Sequence, residues 1–258
     1  MLRLCSLGSG SGGNGLVVEA SDGLARSRVL IDNGFNLRQL SRRLERAGLA
    51  IDSLDAVFVT HEHSDHAAGV ERLSRRHGVP VYCSAGTAAA CDFDARSVAW
   101  VHVEAAVAIE IGALRVEPFA VPHDASEPLQ YTFSDGARRA ALLTDAGECS
   151  DEILAALSGL HALILECNHD VALLRDGAYP PFLKARITGS LGHLSNDQAA
   201  DILARSEHSR LEWVAAAHLS AVNNRPGLAR IALAAALGCA ADEIAVADQF
   251  AGLPWREA

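Results

Sequence analysis

Residues 57–66 read Val-Phe-Val-Thr-His-Glu-His-Ser-Asp-His, so three histidines and Asp65 lie within six residues, directly after a short apolar run. Side chains two apart in an extended segment project to the same side, which places His61 and His63 to bind one metal ion. Asp65 and His66 begin the next helix and are directed at a second ion. A single histidine at a strand end is commonly just packed or solvated, but imidazoles this dense, with an acid among them, need a cation. The spacing predicts two metal ions.

Three further strand ends supply the remaining ligands. Three apolar runs each precede a candidate ligand: 114–121 precedes His123, 140–144 precedes Asp145, and 211–217 precedes His218. In layered α/β architectures the carboxyl ends of strands converge on the functional edge, which brings these residues to the 57–66 motif. Taken singly, either histidine could be a satisfied core residue, and Asp145 could begin a turn with Gly147. Together they predict one ion held by His61, His63 and His123, another held by Asp65, His66 and His218, and Asp145 as the bridge.

The rest of the chain alternates strand and helix patterns in two halves. Further strands are predicted at 2–7, 16–19, 28–32, 129–133 and 162–166, and helices at 37–47, 65–77, 151–158, 196–205 and 227–237. Ser195 and Gln198 predict a capping box. Two strand-rich halves, each covered by helices on one side, predict an α/β fold, a four-layer αββα sandwich with the metal ions at one edge. We expect a single domain over residues 1–258, with halves of roughly 1–125 and 126–258 that meet near the turn at 126–128.

These motifs resemble those of the metallo-β-lactamase superfamily, whose signature is His-x-His-x-Asp-His followed by a histidine, an acid or thiol, and a last histidine. Segments that resemble its YycJ/WalJ branch lie at 6–14, 60–66, 166–170, 192–196, 218–220 and 223–224. The resemblance implies a nuclease-like metallohydrolase, related to the ribonuclease Z and ribonuclease J group, with a role on DNA. Ribonuclease J-type enzymes insert a large β-CASP domain, and the stretch from Asp145 to His218 is too short for one. We therefore expect no β-CASP insertion and disfavour processing of long RNA.

A glycine-rich segment at residues 8–13 matches the Gly-x-Gly-x-x-Gly pattern of dinucleotide sites, with Asp32 near the distance expected of a ribose-binding acid. The next residues, 16–19, are typical of a strand, whereas a dinucleotide site requires a helix there. Two interpretations remain. The segment is either a tight hairpin without a ligand, or a turn that lines the metal pocket and offers Ser9, Ser11 and Asn14 to a phosphate.

Two bridged metal ions favour hydrolysis, because they lower the pKa of a shared water and neutralise charge on the leaving oxygen. The expected nucleophile is a metal-bridging hydroxide that Asp65 helps to orient, and His193 is the candidate acid for the leaving alkoxide. The alternative is that His193 only caps or hydrogen-bonds the backbone. Glu166, His169 and Asn223 are expected to support the ligands or contact the substrate phosphate. The imidazole-rich spheres suit zinc, and the oxygen donors also admit manganese or iron.

The net charge of −10 is unfavourable for nucleic acid binding, since nonspecific affinity for phosphates comes mainly from Lys and Arg. Basic residues at 42–46, 75–76, 138–139 and 184–186 either form a basic track or lie on ordinary solvated faces. No apolar stretch has the length of a signal peptide or a membrane span, so we expect a cytoplasmic protein without a membrane partner.

Three functions remain open. The first is a dinuclear metal-dependent phosphodiesterase or exonuclease whose partner is nucleic acid, DNA rather than RNA. The second is a small-molecule thioester or lactone hydrolase, favoured by the acidic composition. The third is a metal-dependent regulatory protein with vestigial activity. The segments Gly192-His193 and Glu166-Cys167-Asn168-His169 favour the first function, because a thioesterase has no need of them.

Overall fold

Fourteen strands form two seven-stranded sheets within residues 1–93 and 98–258, the part of the chain that this computed structural model describes. The first sheet contains β1 Leu2–Gly8, β2 Gly15–Ser21, β3 Arg26–Ile31, β4 Ala56–Phe58, β5 Val81–Cys83, β6 Trp100–His102 and β14 Leu253–Glu257, in the order β14-β1-β2-β3-β4-β5-β6. The second contains β7 Ile109–Ile111, β8 Leu114–Ala120, β9 Leu129–Ser134, β10 Arg139–Leu143, β11 Ala162–Glu166, β12 Trp213–Ala217 and β13 Ala245–Val246, in the order β13-β12-β11-β10-β9-β8-β7.

Successive side chains along a strand face two different apolar layers. In β2, Leu16 and Val18 pack between the two sheets, whereas Val17 packs under the helices that cover the first sheet. In β11, Ile164 faces the other sheet and Leu163 packs under the helices that cover the second. Because both faces of each sheet are buried, the layers run helix, sheet, sheet, helix. The predicted αββα sandwich is confirmed.

Nine α-helices lie in the same described ranges. They are α1 Leu37–Arg46, α2 Ser64–Ala67, α3 Val70–His77, α4 Ala85–Ala90, α5 Asp151–Ala156, α6 Val171–Asp176, α7 Pro181–Thr188, α8 Asn196–Arg205 and α9 Pro226–Leu237. The predicted capping box of α8 is confirmed: the Gln198 amide donates to Ser195 Oγ at 3.2 Å, and the Ser195 amide donates to Gln198 Oε1 at 2.9 Å. Between Asp145 and His218 the chain forms only α5 to α8 and the strands β11 and β12 in this described stretch.

The helix predicted over 65–77 is wrong as a single element, since α2 ends at Ala67 and α3 begins at Val70. The break has a packing reason. The Gly69 amide donates to the Asn33 carbonyl at 2.8 Å, and a Cβ at Gly69 would overlap the Phe35 carbonyl. The chain bends here so that segment 33–35 can pass directly against it, which a continuous helix with a side chain at 69 would prevent.

The two sheets divide the chain differently from the expected halves. Strands β7 and β8 precede the turn at 126–128 but belong to the second sheet, and β14 returns from the far end of the sequence to pair with β1. The change of sheet comes between His102 and Ile109. The sequence pattern did not reveal it because β6 and β7 are each only three residues long.

No helix in residues 1–93 or 98–258 combines the length and the apolar character needed to span a lipid bilayer.

Candidate metal centre

The carboxyl ends of strands from both sheets meet at one edge of the sandwich. Strands β3 and β4 are parallel in the first sheet, and β10, β11 and β12 are parallel in the second. The residues that follow β4, β8, β10 and β12 therefore converge. All seven predicted ligands are brought into overlapping groups there, and within each group the donor atoms lie within 4.8 Å of one another: His61, His63 and His123; His61, His66 and Asp145; and Asp65, His66 and His218.

The first group is made of imidazoles alone. Nδ1 of His63 lies 3.0 Å from Nε2 of His61 and 3.3 Å from Nε2 of His123. Burial lowers the pKa of His61 well below its ordinary value, and the neighbouring His66 lowers it further. Burial also lowers the pKa of His123. Neutral imidazole is the form that binds a metal ion, so burial prepares this group for one.

The second group, formed by Asp65, His66 and His218, adds carboxylate oxygens. Oδ2 of Asp65 lies 3.5 Å from Nε2 of His66 and 3.5 Å from Nε2 of His218. Oδ2 of Asp145 lies 3.1 Å from Nε2 of His66, and Oδ1 of Asp145 lies 3.6 Å from Nδ1 of His218. Asp145 forms a further group with His61, from the first group, and His66, from the second. Its carboxylate therefore lies between the two groups.

The electrostatics of the second group favour a cation. Burial opposes protonation of His218, but Asp145, Asp65 and Glu166 around it raise its pKa to about 10. The buried His66 has its pKa raised in the same way, chiefly by Asp145 and Asp32. Carboxylates this buried need positive charge nearby, and a divalent ion supplies more of it than a protonated imidazole.

Asp145 carries the most direct indication of a metal ion. Its side chain is 2% exposed, and although Oδ2 lies 3.1 Å from Nε2 of His66, it accepts no hydrogen bond of acceptable geometry from the described residues. A buried carboxylate oxygen without a partner is costly, and a metal ion would satisfy it. The nitrogen and oxygen donors around it fit zinc or manganese.

Three residues at this edge have left-handed backbone conformations, with φ of 55° at Asp145, 53° at His218 and 61° at Asp32. This region is sparsely populated by residues other than glycine, and strain of this kind clusters at functional sites. Asp32 and His218 follow a strand directly, and Asp145 follows β10 after one residue, so the sharp turn aims each side chain back across the edge of the sheets.

His193 lies beside the second group and reaches the solvent side of it. Its Nδ1 lies 2.8 Å from Oε1 of Glu166 and 3.3 Å from Oδ1 of Asp145, and its side chain is 23% exposed. Burial opposes a charge on His193, but Glu166 and Asp145 raise its pKa. Burial likewise opposes ionisation of Glu166, but His193 and His218 lower its pKa to about 2. A histidine held in this way has a proton to donate into the site.

The site opens into one cleft. Its lining includes the polar residues His63, Asp65, Asp145, His193 and His218, and also Tyr179, Leu183, Arg186 and Ile187 from the segment that contains α7. The cleft thus joins the polar candidate metal centre to aromatic and aliphatic side chains of that segment.

Comparison with known proteins decides the family. The beta-lactamase superfamily domain matches residues 27–213. The exodeoxyribonuclease YycJ of Bacillus anthracis is 34% identical over 242 residues, which cover 92% of this chain and 89% of that protein. The chain belongs to the beta-lactamase superfamily. The exodeoxyribonuclease WalJ of Streptococcus pneumoniae is 32% identical over 256 residues, 97% of this chain and 91% of that protein.

Solved structures agree with this beta-lactamase superfamily assignment at the level of the fold. The metallo-beta-lactamase fold protein YhfI from Bacillus subtilis superposes with a TM-score of 0.75 at 17% identity, over 100% of this chain and 99% of that one. A diphosphatase from the PhnP family superposes with a TM-score of 0.70 at 22% identity, over 100% and 98%. The predicted resemblance to the YycJ/WalJ branch is confirmed, and this superfamily member is a metal-dependent hydrolase.

The glycine-rich segment belongs to the site, although not all of it faces a substrate. Ser9 Oγ accepts a hydrogen bond from the His218 amide at 2.9 Å, and the Asn14 side-chain nitrogen lies 3.3 Å from Asp65 Oδ2 and 3.0 Å from His66 Nε2. Ser9 and Asn14 therefore position the candidate ligands. Ser11 lines the cleft, where a substrate can reach it.

The predicted supporting residues Glu166, His169 and Asn223 all lie outside the cleft lining. The backbone of His169 pairs with Ser195, and the carbonyl of Asn223 accepts from the Asp170 amide at 2.9 Å. Both side chains are buried, at 1% exposure each. It is the preceding residue, Asn168, that lines the cleft, and its side chain donates to the His218 carbonyl at 3.2 Å. A substrate contact by His169 or Asn223 is thus not favoured by their positions.

Asp32 is a supporting residue that the sequence did not reveal, since it was considered only within a dinucleotide pattern that was rejected. Its Oδ2 lies 2.8 Å from Nδ1 of His66, and its Oδ1 accepts from the Thr60 amide at 2.8 Å. The signal was present, since Asp32 follows β3 just as Asp145 follows β10. Arg186 was considered only as part of a basic track, and Asp124 was given no role, whereas the two form an ion pair of 2.5 Å in the cleft wall.

Proposed function

We propose that this protein is a dinuclear metal-dependent phosphodiesterase, and specifically an exonuclease that acts on DNA. The observation that carries the proposal is the pair of adjacent donor groups joined through Asp145, with His193 beside them, in a cleft that is open to solvent. The names of the relatives YycJ and WalJ, both exodeoxyribonucleases at 32–34% identity, support DNA as the polymer. A DNA substrate also fits the expected cytoplasmic location.

His61, His63 and His123 would hold one ion, Asp65, His66 and His218 the other, and Asp145 both. Zinc or manganese bound there, or iron, would supply an ionised water as nucleophile and neutralise charge on the scissile phosphate.

The chain's own residues carry the remaining steps. Asp65, 23% exposed on the cleft side, orients the attacking water toward phosphorus. As the new bond between the water oxygen and phosphorus forms, the bond from phosphorus to the leaving oxygen breaks. His193 gives its proton to that leaving oxygen, and Glu166 stabilises the protonated ring beforehand and orients it through Nδ1. The opposite ring nitrogen, Nε2, is then the atom that delivers the proton.

A second candidate function, hydrolysis of a thioester or lactone, is favoured by the apolar side chains of Leu183 and Ile187 in the cleft and by the net charge of −10. An acyl chain would fit against them, whereas a polyanion gains little from an acidic protein.

In the deciding experiment the purified protein is loaded separately with zinc, manganese and ferrous iron. Each form is incubated with end-labelled duplex DNA, single-stranded DNA, RNA and a glutathione thioester. The Asp65→Ala variant is the control. We expect turnover of DNA that the variant loses, and two ions per chain by elemental analysis and anomalous scattering. Turnover of the thioester alone would overturn the nuclease, turnover of nothing would favour a regulatory protein with vestigial activity, and one ion per chain would overturn the dinuclear site.

A further inference from the structure

Helix α7, Pro181–Thr188, differs from the other long helices of the described chain because it buries none of its residues. The helices α1, α3, α8 and α9 each bury at least two residues in the core. Most helical stability in proteins comes from such packing. Helix α7 therefore contributes little to the core, and its apolar side chains need another explanation.

Polar contacts fix α7 at the mouth of the cleft. Lys184 Nζ donates to the carbonyls of Arg175 and Gly177, each at 2.7 Å, at the end of α6. On the cleft side, Arg186 Nε lies 2.5 Å from Asp124 Oδ2, and the His193 amide donates to the Ile187 carbonyl at 2.9 Å. The helix is thus tied directly to the residue proposed as the acid.

Apolar side chains of this segment lie in or beside the cleft. Tyr179, Leu183 and Ile187 line the same cleft as the candidate metal ligands. Phe182 is 76% exposed, and it lies one helical turn from Arg186, which also lines the cleft. Exposed aromatic and aliphatic side chains beside a polar site are typical of a surface that contacts a ligand.

Basic side chains contribute little to the grip on a polymer near this site. In the described residues Arg186 is the one Lys or Arg that lines the cleft, and its charge is paired with Asp124. The other basic residues considered from the sequence are largely engaged elsewhere: Arg43 and Arg46 with the Phe250 carbonyl, Arg75 with Glu71, Arg138 with Glu212, and Arg139 with the Ser158 carbonyl. Affinity for nucleic acid that does not come from phosphate contacts comes from stacking of bases on aromatic rings.

We propose that Tyr179 and Phe182 form a stacking platform for an unpaired nucleobase next to the scissile phosphate, so that the preferred substrate is a DNA end with at least one unpaired nucleotide. This inference rests on the proposed function. Base stacking tolerates every base, so the platform selects unpaired structure and not sequence.

The test compares kcat/KM for oligonucleotides that carry either a normal or an abasic nucleotide at the terminal position, with separate substrates for the two ends. For the wild-type protein we expect an abasic nucleotide at one end to lower kcat/KM about tenfold, the size of one stacking contact. In Tyr179→Ala and Phe182→Ala we expect kcat/KM for the normal substrate to fall by a similar factor and kcat/KM for the abasic substrate to change little. Tyr179→Phe retains the preference for the normal substrate. Leu24→Ala is the matched control, because Leu24 is 100% exposed and lies in the β2–β3 turn.

A binding readout separates stacking from chemistry. The fluorescence of 2-aminopurine at the same terminal position is quenched when the base stacks, so we expect quenching with wild-type protein and with Leu24→Ala, and loss of quenching in the two alanine variants. Equal cleavage of normal and abasic ends by the wild type, or equal quenching in all variants, would overturn the platform. A change confined to thioester turnover would instead assign these residues to an acyl chain. Failure of the nuclease proposal is distinct, since the wild type would then cleave none of the oligonucleotides.

Discussion

Asp32 Oδ2 lies 2.8 Å from Nδ1 of His66, although the two residues are 34 positions apart in the sequence. The same carboxylate accepts from the Thr60 hydroxyl at 2.9 Å, and both Asp32 and His66 are buried. Because Nδ1 of His66 is engaged by Asp32, its Nε2 is the nitrogen that faces Asp65 and Asp145. Asp32 therefore sets the tautomer in which His66 can bind a metal ion.

Asp32→Ala is expected to weaken metal binding about 10- to 100-fold, because His66 loses the partner that orients its ring. Competition with a chelator measures the effect. Asp52→Ala is the matched control, since Asp52 Oδ1 lies 2.9 Å from Nδ1 of His77 at the protein surface, far from any candidate ligand group. Equal metal affinity in the two variants would show that the contact of Asp32 with His66 has no part in metal binding.

His193→Ala is expected to lower kcat on DNA about 100-fold or more, with unchanged metal content, because the leaving alkoxide loses its acid. On a p-nitrophenyl phosphodiester the loss is much smaller, since that leaving group departs without a proton. His208→Ala, which removes a histidine bonded to the Ser206 carbonyl, serves as the control. A fall in metal content parallel to activity would make His193 a ligand instead of an acid.

Glu19 predicts how stability responds to acid. Its carboxylate is fully buried and lies 2.7 Å from Arg3 and 2.6 Å from Arg28. Burial opposes its ionisation, but the two arginines lower the pKa of Glu19 below its ordinary value of 4.5. The folded pKa is thus below the unfolded one, so the ionised group stabilises the fold above pH 4.5 and this contribution is lost as pH falls through the folded pKa.

Glu19→Gln is therefore expected to lower the free energy of unfolding by about 1.5–3 kcal/mol at pH 7, the usual range for hydrogen bonds to a charged group. Urea titrations at pH 7 and at steps below pH 4.5 measure the free energy of unfolding. We expect the difference between Glu19→Gln and wild type to shrink as the pH falls. Glu110→Gln, at an exposed pair with Arg115, is the control and changes stability little. A difference in the free energy of unfolding between Glu19→Gln and wild type that grows as the pH falls would contradict the predicted direction.

Two glycines are expected to respond to alanine in opposite directions. A Cβ at Gly34 would overlap the Asp65 carbonyl, which accepts from the Asn14 amide at 2.7 Å. Gly34→Ala should therefore cost about 1–3 kcal/mol and lower metal content. Gly227 has open space around its Cβ position and lies in the first turn of α9, so Gly227→Ala should stabilise by about 0.4–1 kcal/mol. Thermal unfolding and elemental analysis check both, and stabilisation by Gly34→Ala would show that the 33–35 segment has room to move.

The convergence of the candidate ligands was predictable, because they are local sequence signals that follow strands of a shared topology. His61 to His66 form one dense motif, and His123, Asp145 and His218 each follow a strand that apolar runs reveal. Apolar runs such as β10 and β11 were also located to within a residue or two.

The features that the sequence did not reveal depend on contacts between distant residues. The role of Asp32 appears only when β3 lies beside β4, and the break in the 65–77 helix appears only when segment 33–35 crosses it. Helix α7 lacks an apolar face directed at the core, so periodicity gave no sign of it. Strands β5 and β6 are three residues each, too short for an alternating pattern.

The pairing of β1 with β14 has a consequence for how the protein is made. The Ser9 amide donates to the Asp248 carbonyl, and Gln249 bonds to Gly12 and Gly13, so the loop that positions His218 and Asp65 rests on residues at the opposite end of the sequence. During synthesis the edge of β1 that pairs with β14 therefore stays unpaired until β14 has left the ribosome. The candidate metal centre is in this sense completed only after β14 has been synthesised, and nascent chains depend until then on protection of that edge from aggregation.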